Sequence, residues 1–343
     1  MGGMQKAMVN LANGLAKAGI TVEMYALFRL EHFFDIDVHV RFSESQKPPE
    51  SYNLLTRMTA IVGHIRKTAQ KSDAQTIIVY GKFYAALTLL GTFGLKKRIF
   101  FSDRASPLNK DYWYIELLTK LIFSFIKPTG IIAQTNDSAQ YQRKRFGAKT
   151  PIAVIPNAVT SMIFPVVPKK KQVLAVGRFG DSCKGFDLLI EAWGKVTTSD
   201  WNLVFAGGTA EQAPELVTRA KELGIANRIS FLGKVKDMPQ LYAESEIFVI
   251  PSRSEGFPNA LVEAMVAGLA CVSFDFTAGP RDIIDDGKNG YIVPKEDTDA
   301  FAEKIQYLID NPLQRLFVSA NAKQIEKRFN SDRIIGEIIN FIA

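Results

Sequence analysis

The stretch from Ile247 to Gly268, IFVIPSRSEGFPNALVEAMVAG, decides the fold of this 343-residue chain. Its first four residues, Ile247 to Ile250, are an apolar run of β-branched and aromatic residues, the pattern of a buried parallel strand. A turn rich in Pro, Ser and Gly comes next and leads into a helix beginning near Pro258. The turn therefore sits at the carboxyl edge of the strand. Open parallel sheets bind ligands at that edge, beside helix N-termini whose free N–H groups favour anions. Glu255 stands in the turn and Glu263 lies about one and a half turns into the helix, roughly 7 Å further along its axis at ~1.5 Å per residue. Two carboxylates are expected to face one crevice.

A carboxylate accepts hydrogen bonds in pairs, which suits vicinal sugar hydroxyls, and the N–H groups of the run Phe257, Pro258, Asn259, Ala260 are expected to suit a phosphate. Together they point to a nucleotide sugar. Glu263 alone reads as part of a solvated helix face. Its flanks count against that, because Ala260, Leu261, Ala264, Met265 and Ala267 surround it with small and apolar residues.

These residues also carry a resemblance to a known family. Glu255 and Glu263 inside EGFPNALVEAMVAG resemble the signature of retaining glycosyltransferases of family 4. The run TAGPRDIIDDGKNGYIVP, Thr277 to Pro294, is similar to the segment beyond that signature in bacterial capsule, lipopolysaccharide and glycan-assembly members. The resemblance is strong from about Val173 to Leu308 and weak in the first half. It implies the α/β fold called GT-B, with two Rossmann-like doubly wound domains facing a cleft. The expected divisions are an acceptor-side domain over 1–160, a nucleotide-sugar domain over 161–325 and a C-terminal helix over 326–343 that returns toward the first domain.

The second domain opens with LAVGRFGDSCKGFDLLIEAW, in which Arg178 and Lys184 flank the loop after a strand ending at Gly177. Departure of a nucleoside diphosphate leaves negative charge on oxygen, and preorganised cations stabilise it without a metal. The resemblance assigns that work to Arg178 and Lys184, the ribose hydroxyls to Glu263 and the sugar to Glu255. It also lays Gly233 and Val235 against the base through backbone contacts, and brings Gly2 and Gly3 near the donor diphosphate and acceptor. In the first half, Asp103 and Arg104 resemble a branch of the family with an acidic residue and an arginine near the transferred sugar. Local capping and turn formation would explain the same two residues. The co-substrate implied is a UDP-sugar, with GDP-mannose as the lesser alternative and no metal or other cofactor.

The N-terminus lacks something this fold needs. Met1-Gly2-Gly3 runs straight into a helix, Gln5 to Ala18, whereas in a doubly wound domain such a glycine loop comes after a strand. Either translation starts further upstream, which is the expectation, or the first strand is missing mid-sheet and the domain is less stable. After it, strands and helices alternate to Phe146. The segment Tyr112 to Ile126 reads as a core helix, with an interfacial helix as the alternative. Asp35-Ile36-Asp37 spells an Asp-x-Asp, but GT-B removes the context in which that pattern holds a metal.

Composition bounds the partners. With 47% hydrophobic and 22% charged residues the chain is globular. No apolar run reaches the ~18 to 20 residues of a bilayer span, and no signal peptide is expected. Two cysteines, Cys183 and Cys271, fit a reduced cytosolic compartment better than a disulfide. Residues 1–165 carry 21 Lys/Arg against 11 Asp/Glu, and the remainder 21 against 24. The basic half is expected to meet a phosphate-bearing or lipid-linked acceptor, or the anionic inner face of the cell membrane. No groove-reading motif accompanies the charge, which argues against nucleic acid. Two other readings remain: a sugar-nucleotide epimerase of the same fold, and a catalytically silent GT-B scaffold.

Overall fold

The computed structural model describes residues 3–28, 35–45, 54–109, 111–158 and 162–343. The chain divides into two compact units, Met1–Thr160 with Asn330–Ala343, and Ser161–Phe329.

The first unit runs α1 (Gly3–Lys17), β1 (Val22–Ala26), β2 (Val40–Glu44), α2 (Leu54–Lys71), β3 (Thr76–Tyr80), α3 (Lys82–Gly91), β4 (Arg98–Ser102), α4 (Trp113–Phe125), β5 (Gly130–Ala133), α5 (Asn136–Phe146) and β6 (Ile152–Val154). Every strand pair is parallel, and helices α3, α4 and α5 make the crossovers among β3 to β6. Among the described residues the strands do not form one continuous doubly wound sheet. β1 and β2 make a two-stranded sheet, and β3-β4-β5-β6 make a separate four-stranded one. Between β1 and β3 lies a cavity of about 460 Å³, lined by Met8 and Val9 of α1, Tyr25 of β1, Ile65 of α2, and Ile78 and Tyr80 of β3. Among the described residues no strand occupies the space between β1 and β3.

Phe101, Phe123, Phe146 and Ile131 fill the core beneath the four-stranded sheet, with Phe123 edge-on to Phe146 at 4.8 Å between ring centroids. The C-terminal helix, Ser331–Ile342, closes the other face by packing Ile334, Ile335 and Ile338 against Leu11 and Leu15. A Cβ on Gly14 would lie 2.5 Å from Cδ1 of Ile335, so glycine lets the two helices approach. Burial of those three isoleucines stabilises the docked helix by on the order of 5 kcal/mol. The reading of Tyr112 to Ile126 as a core helix holds for one face only. Thr119, Ile122 and Phe123 are buried, while Trp113, Leu117, Leu121 and Phe125 are exposed.

The second unit runs β7 (Gln172–Val176), α6 (Phe186–Lys195), β8 (Asn202–Ala206), α7 (Pro214–Glu222), β9 (Ile229–Phe231), α8 (Met238–Glu244), β10 (Ile247–Ile250), α9 (Asn259–Val266), β11 (Ala270–Phe274), β12 (Tyr291–Val293), α10 (Thr298–Asp310), α11 (Pro312–Ala322) and α12 (Glu326–Phe329). Its six strands form one parallel sheet in the order β12-β11-β10-β7-β8-β9. All four residues of β10 are buried, as a strand covered on both faces requires. The sequence suggests one helix from Pro312 to Arg328. The chain instead passes through a 3-10 turn at Lys323–Ile325, and Pro280 likewise opens only a 3-10 turn, Pro280–Asp282.

Candidate active site

The first strand of the second unit, β7, pairs with β8 on one side and β10 on the other, in register Ile247 with Val173. Chain order reverses at this junction, so the loops leaving β7 and β10 diverge and open a crevice at the carboxyl edge of the sheet. The candidate site is built from these two loops and α9.

The loop after β7 is shaped by contacts that exclude side chains. Gly185 has φ +64°, and a Cβ there would lie 2.0 Å from the carbonyl oxygen of Pro251. This close approach locks the β7 loop onto the β10 loop. Asp181 accepts the amide of Cys183 at 3.1 Å and caps the turn Ser182–Lys184. From the other side, the Arg253 amide donates to the Cys183 carbonyl at 2.7 Å, and its guanidinium makes a two-pronged bond to Asp187 at 2.8 and 2.6 Å. That partner holds the Asp187 carboxyl below its ordinary range.

Held this way, Lys184 reaches Glu255. Its Nζ donates to Glu255 Oε1 at 2.8 Å, and Ser252 Oγ donates to the same oxygen at 2.7 Å. The side chains are only 22% and 14% exposed, so the pair sits in a partly desolvated setting where charge interactions exceed those at a free surface. Both bonds fall on Oε1, and Oε2 takes part in neither. Arg178 stands on the same loop, 71% exposed and 3.7 Å from the Asp181 carboxylate, a loose contact that leaves its guanidinium reaching into solvent.

Glu263 lies in α9 between the buried residues Val262 and Ala264, and is itself half-buried. The hydroxyl of Tyr242, on α8, donates to its Oε2 at 3.0 Å. Burial, reinforced by the Glu263 charge, pushes the Tyr242 phenol well above its ordinary range, so it remains a proton donor. Phe257 is buried and its ring packs on Phe329 at 5.8 Å between centroids, which leaves only its backbone for a ligand. The expectation for the amides from Phe257 to Ala260 needs correction on two points. Pro258 has no N–H, and the Asn259 N–H donates to the Phe257 carbonyl at 2.9 Å. Ala260, in the first turn, has no acceptor within the helix. Gly233, at φ +67°, exchanges bonds with Gly207 and Gly208 at 2.7 and 3.1 Å, and Val235 comes two residues later, half-buried.

In the first unit, Asp103 is buried after β4. It accepts from the Gln142 side-chain amide and, at 3.4 Å, from the Ala105 amide. Burial raises its carboxyl above the ordinary 3.8. Arg104 donates through Nε to Ser102 at 2.9 Å, through Nη1 to Asn157 and through Nη2 to Tyr80 at 3.4 Å, with its guanidinium 4.9 Å from the Tyr80 ring centre. Its donors are thus engaged in ordering the strand ends. Gly3 opens α1, and Gly2 lies outside the described residues. Asp37 is used locally, accepting the His39 amide at 2.9 Å. Among the described residues no three His, Cys, Asp or Glu side chains gather as a metal site.

The buried charge at Asp103 has a measurable consequence. Because the folded carboxyl is raised, its contribution to stability is fully present below 3.8 and is lost as pH rises through the folded value. Asp103→Asn should therefore melt level with the parent near pH 4 and about 2–4 °C higher at pH 7.5, on roughly 1 kcal/mol. The buried Oε1 of Gln142 has no hydrogen-bond partner among the described residues, and the new amide can donate to it. A melting difference that does not change with pH would remove the charge explanation.

Sequence reasoning missed Ser252, Tyr242 and the Arg253–Asp187 staple. Ser252 and Tyr242 act on residues already named, across separations of 3 and 21 positions, and the staple joins two residues 66 positions apart. Only the first separation falls within reach of a local pattern.

Residues 1–161 match the family model "Glycosyltransferase Family 4" and residues 170–311 match "Glycosyl transferases group 1". The chain is 24% identical to the Campylobacter jejuni GalNAc-alpha-(1->4)-GalNAc-alpha-(1->3)-diNAcBac-PP-undecaprenol alpha-1,4-N-acetyl-D-galactosaminyltransferase, covering 100% of this chain and 95% of that protein. In fold it is similar to sucrose-phosphate synthase from Thermosynechococcus elongatus, with a TM-score of 0.84 at 20% identity, over 99% of this chain and 92% of the other. It is also similar to Anabaena HepE in complex with UDP-glucose, with a TM-score of 0.77 at 18% identity, over 99% and 96%. With the two family models together spanning most of its length, and with solved neighbours sharing its two α/β units, the chain belongs to the group 1 and family 4 glycosyltransferases and has their GT-B fold.

Proposed function

We propose that the chain transfers a hexose or N-acetylhexosamine from a UDP-sugar to a hydroxyl of a lipid-linked bacterial surface glycan, with retention at the anomeric carbon. The observation that carries this reading is the Lys184–Glu255–Ser252 cluster at the β7/β10 switch point. An ammonium and a carboxylate sharing one contact are poised to be separated by a ligand that carries both anionic phosphate and sugar hydroxyls. On binding, Lys184 and the solvent-facing guanidinium of Arg178 meet the diphosphate, with no resident cofactor in the scheme, and Glu255 accepts from the sugar. Glu263, aligned by Tyr242, accepts from the ribose hydroxyls. The backbones of Gly233 and Val235 flank the base, and the first turn of α9 meets phosphate. In the first unit Asp103 and Arg104 are the candidates for sugar or acceptor contact.

No residue of the second-unit site is placed as a nucleophile in this scheme. The departing phosphate assists deprotonation of the acceptor hydroxyl on the same face, which yields retention. The choice of UDP and of a lipid-linked acceptor is supported by the UDP-glucose complex of HepE and by the undecaprenol-linked substrate in the name of the Campylobacter relative. Melting curves with a panel of UDP- and GDP-sugars test the donor, and proton NMR of the product tests the anomeric outcome. Stabilisation by GDP-sugars alone, or an inverted product, would overturn the corresponding part.

Glu263→Gln probes the same cavity. Loss of a charge-assisted hydrogen bond is expected to weaken donor binding by about 1.5–3 kcal/mol, or roughly 10- to 150-fold in Kd, with kcat changed much less. Isothermal titration with UDP-sugar measures it, and unchanged affinity removes Glu263 from the ribose site.

A further inference from the structure

We infer that the chain forms a two-fold dimer through the outer face of α11, with the helix of one copy antiparallel to that of its partner. The inference goes beyond the proposed function and does not depend on it. Leu313, Leu316 and Phe317 are 82%, 62% and 54% exposed, and Ala320 is exposed beside them. At about 100° per residue the four fall within an arc of roughly 100°, which makes one stripe along the helix. Val318 and Ala322, on the opposite side, are buried. The one charged residue of α11, Arg315, also turns inward. It donates to Glu246 at 2.6 Å and to the Leu308 carbonyl at 2.5 Å, and its guanidinium lies 4.9 Å from the Trp201 ring centre. The outer stripe is therefore apolar with no charge in it. Exposed apolar residues scattered singly carry no message, but a contiguous stripe marks a contact surface.

The order of residues along the stripe selects a second copy as its occupant. In a two-fold contact, a residue that meets a second residue of the partner is met in return by the same pair. An axis passing midway between Leu316 and Phe317 sets Leu316 against the partner's Phe317, and Leu313 against the partner's Ala320. A large residue then faces a small one at each end, which lets the helix axes approach to about 8–10 Å. The same axis sets Asp310, just before α11, against the partner's Lys323, just after it, and both are exposed. Opposite charges thus meet at both ends, and the antiparallel helix dipoles agree with them. The polar flanks of the stripe, Gln314 and Ser319, are uncharged, unlike the basic edge of a helix that lies on a membrane. Residues 166–343 carry 21 basic against 24 acidic side chains, so two copies repel little through this half of the chain. An apolar centre of this kind falls in the range of about 300–600 Å² that marks interaction sites, and its charged ends extend it toward the ~800 Å² per partner of a stable dimer.

Sedimentation velocity of the full chain, from about 1 to 100 μM, tests the pairing. The expected result is a monomer that converts to a dimer as concentration rises. A Leu316→Ser, Phe317→Ser variant should weaken the dimer at least about 100-fold, since both positions lie at the axis and each change counts twice. Its melting temperature, measured where the parent is monomeric, should stay unchanged because both side chains already face solvent. Asp310→Lys and Lys323→Glu should each weaken the dimer about tenfold by placing like charges together. Combined in one chain, they should restore it, because the new lysine of each copy then meets the new glutamate of the other. A parent that stays monomeric at about 100 μM overturns the inference, as does a dimer that the double-serine variant leaves intact. A dimer that the serines abolish but the exchanged charges fail to restore overturns the antiparallel register. Binding to phosphatidylcholine vesicles that the serines abolish, with no dimer in the parent, gives the stripe to a bilayer and overturns the inference as well.

Discussion

Replacing Lys184 with Met should lower kcat about 10²- to 10³-fold, the cost of removing one preorganised charge from a developing anion. Met retains the aliphatic stem, which lies close enough to Gly177 that a Cβ there would be 3.1 Å from Lys184 Cδ. The loop is thus expected to keep its path while losing the ammonium. Two explanations of a loss must be separated, because Lys184 also compensates Glu255 at 2.8 Å. If Lys184 served only to hold Glu255, then Glu255→Gln would cost as much rate as Lys184→Met, and the double variant no more than either. If Lys184 acts on the leaving diphosphate, its loss adds to that of Glu255, so the double variant falls below both single variants in kcat while regaining the thermal stability lost to the uncompensated carboxylate. Steady-state rates and melting temperatures of the two single variants and the double variant complete the cycle. A Lys184→Met enzyme within about threefold of the parent kcat would take the residue out of the chemistry.

The same pair shows what a linear sequence conveys and what it withholds. β10 and α9 were legible because Ile247 to Ile250 is a continuous apolar run and the turn after it is dense in Pro and Gly. Thr76–Tyr80 and Arg98–Ser102 were legible for the same reason. The three-residue strands Ile152–Val154 and Tyr291–Val293 were not, since three residues carry too little period to stand out and their pairing to β5 and β11 supplies the order. The single helix suggested from Pro312 to Arg328 breaks at Lys323, whose side chain lies over Gly268, where a Cβ would sit 2.2 Å from its Cε. That contact is tertiary and leaves no local trace. At the site, the residue types were readable and their partners were not. Glu255 could be named from its turn, but its pairing with Lys184 spans 71 positions and depends on Gly185 meeting the Pro251 carbonyl.

Filling the gap between β1 and β3 should raise the melting temperature of the first unit by about 5–10 °C. Among the described residues β1 pairs only with β2 and β3 only with β4, so each turns an unpaired ladder edge to the 460 Å³ cavity between them. The lining is largely apolar, with Met8, Val9, Ile65 and Ile78 among its residues. A segment of five β-branched residues, fused through a short glycine turn to Gly3, reaches this space because α1 itself forms part of the wall. Ordering five residues costs about 1–2 kcal/mol each, while burying each large side chain returns roughly 1.5–3 kcal/mol and each ladder bond adds about 0.5–1.5. The net gain is on the order of 2–4 kcal/mol, and a unit of this size moves about 2–4 °C per kcal/mol. Calorimetry reads the shift, and hydrogen exchange reads its location, with new protection at the amides of Val22 to Ala26 and Thr76 to Tyr80. The same segment with a central proline should do neither, because proline cannot donate to a ladder bonded on both sides. If the apolar segment changes neither the melting temperature nor those amides, the gap is not a strand site and the two sheets of the first unit are complete as separate layers.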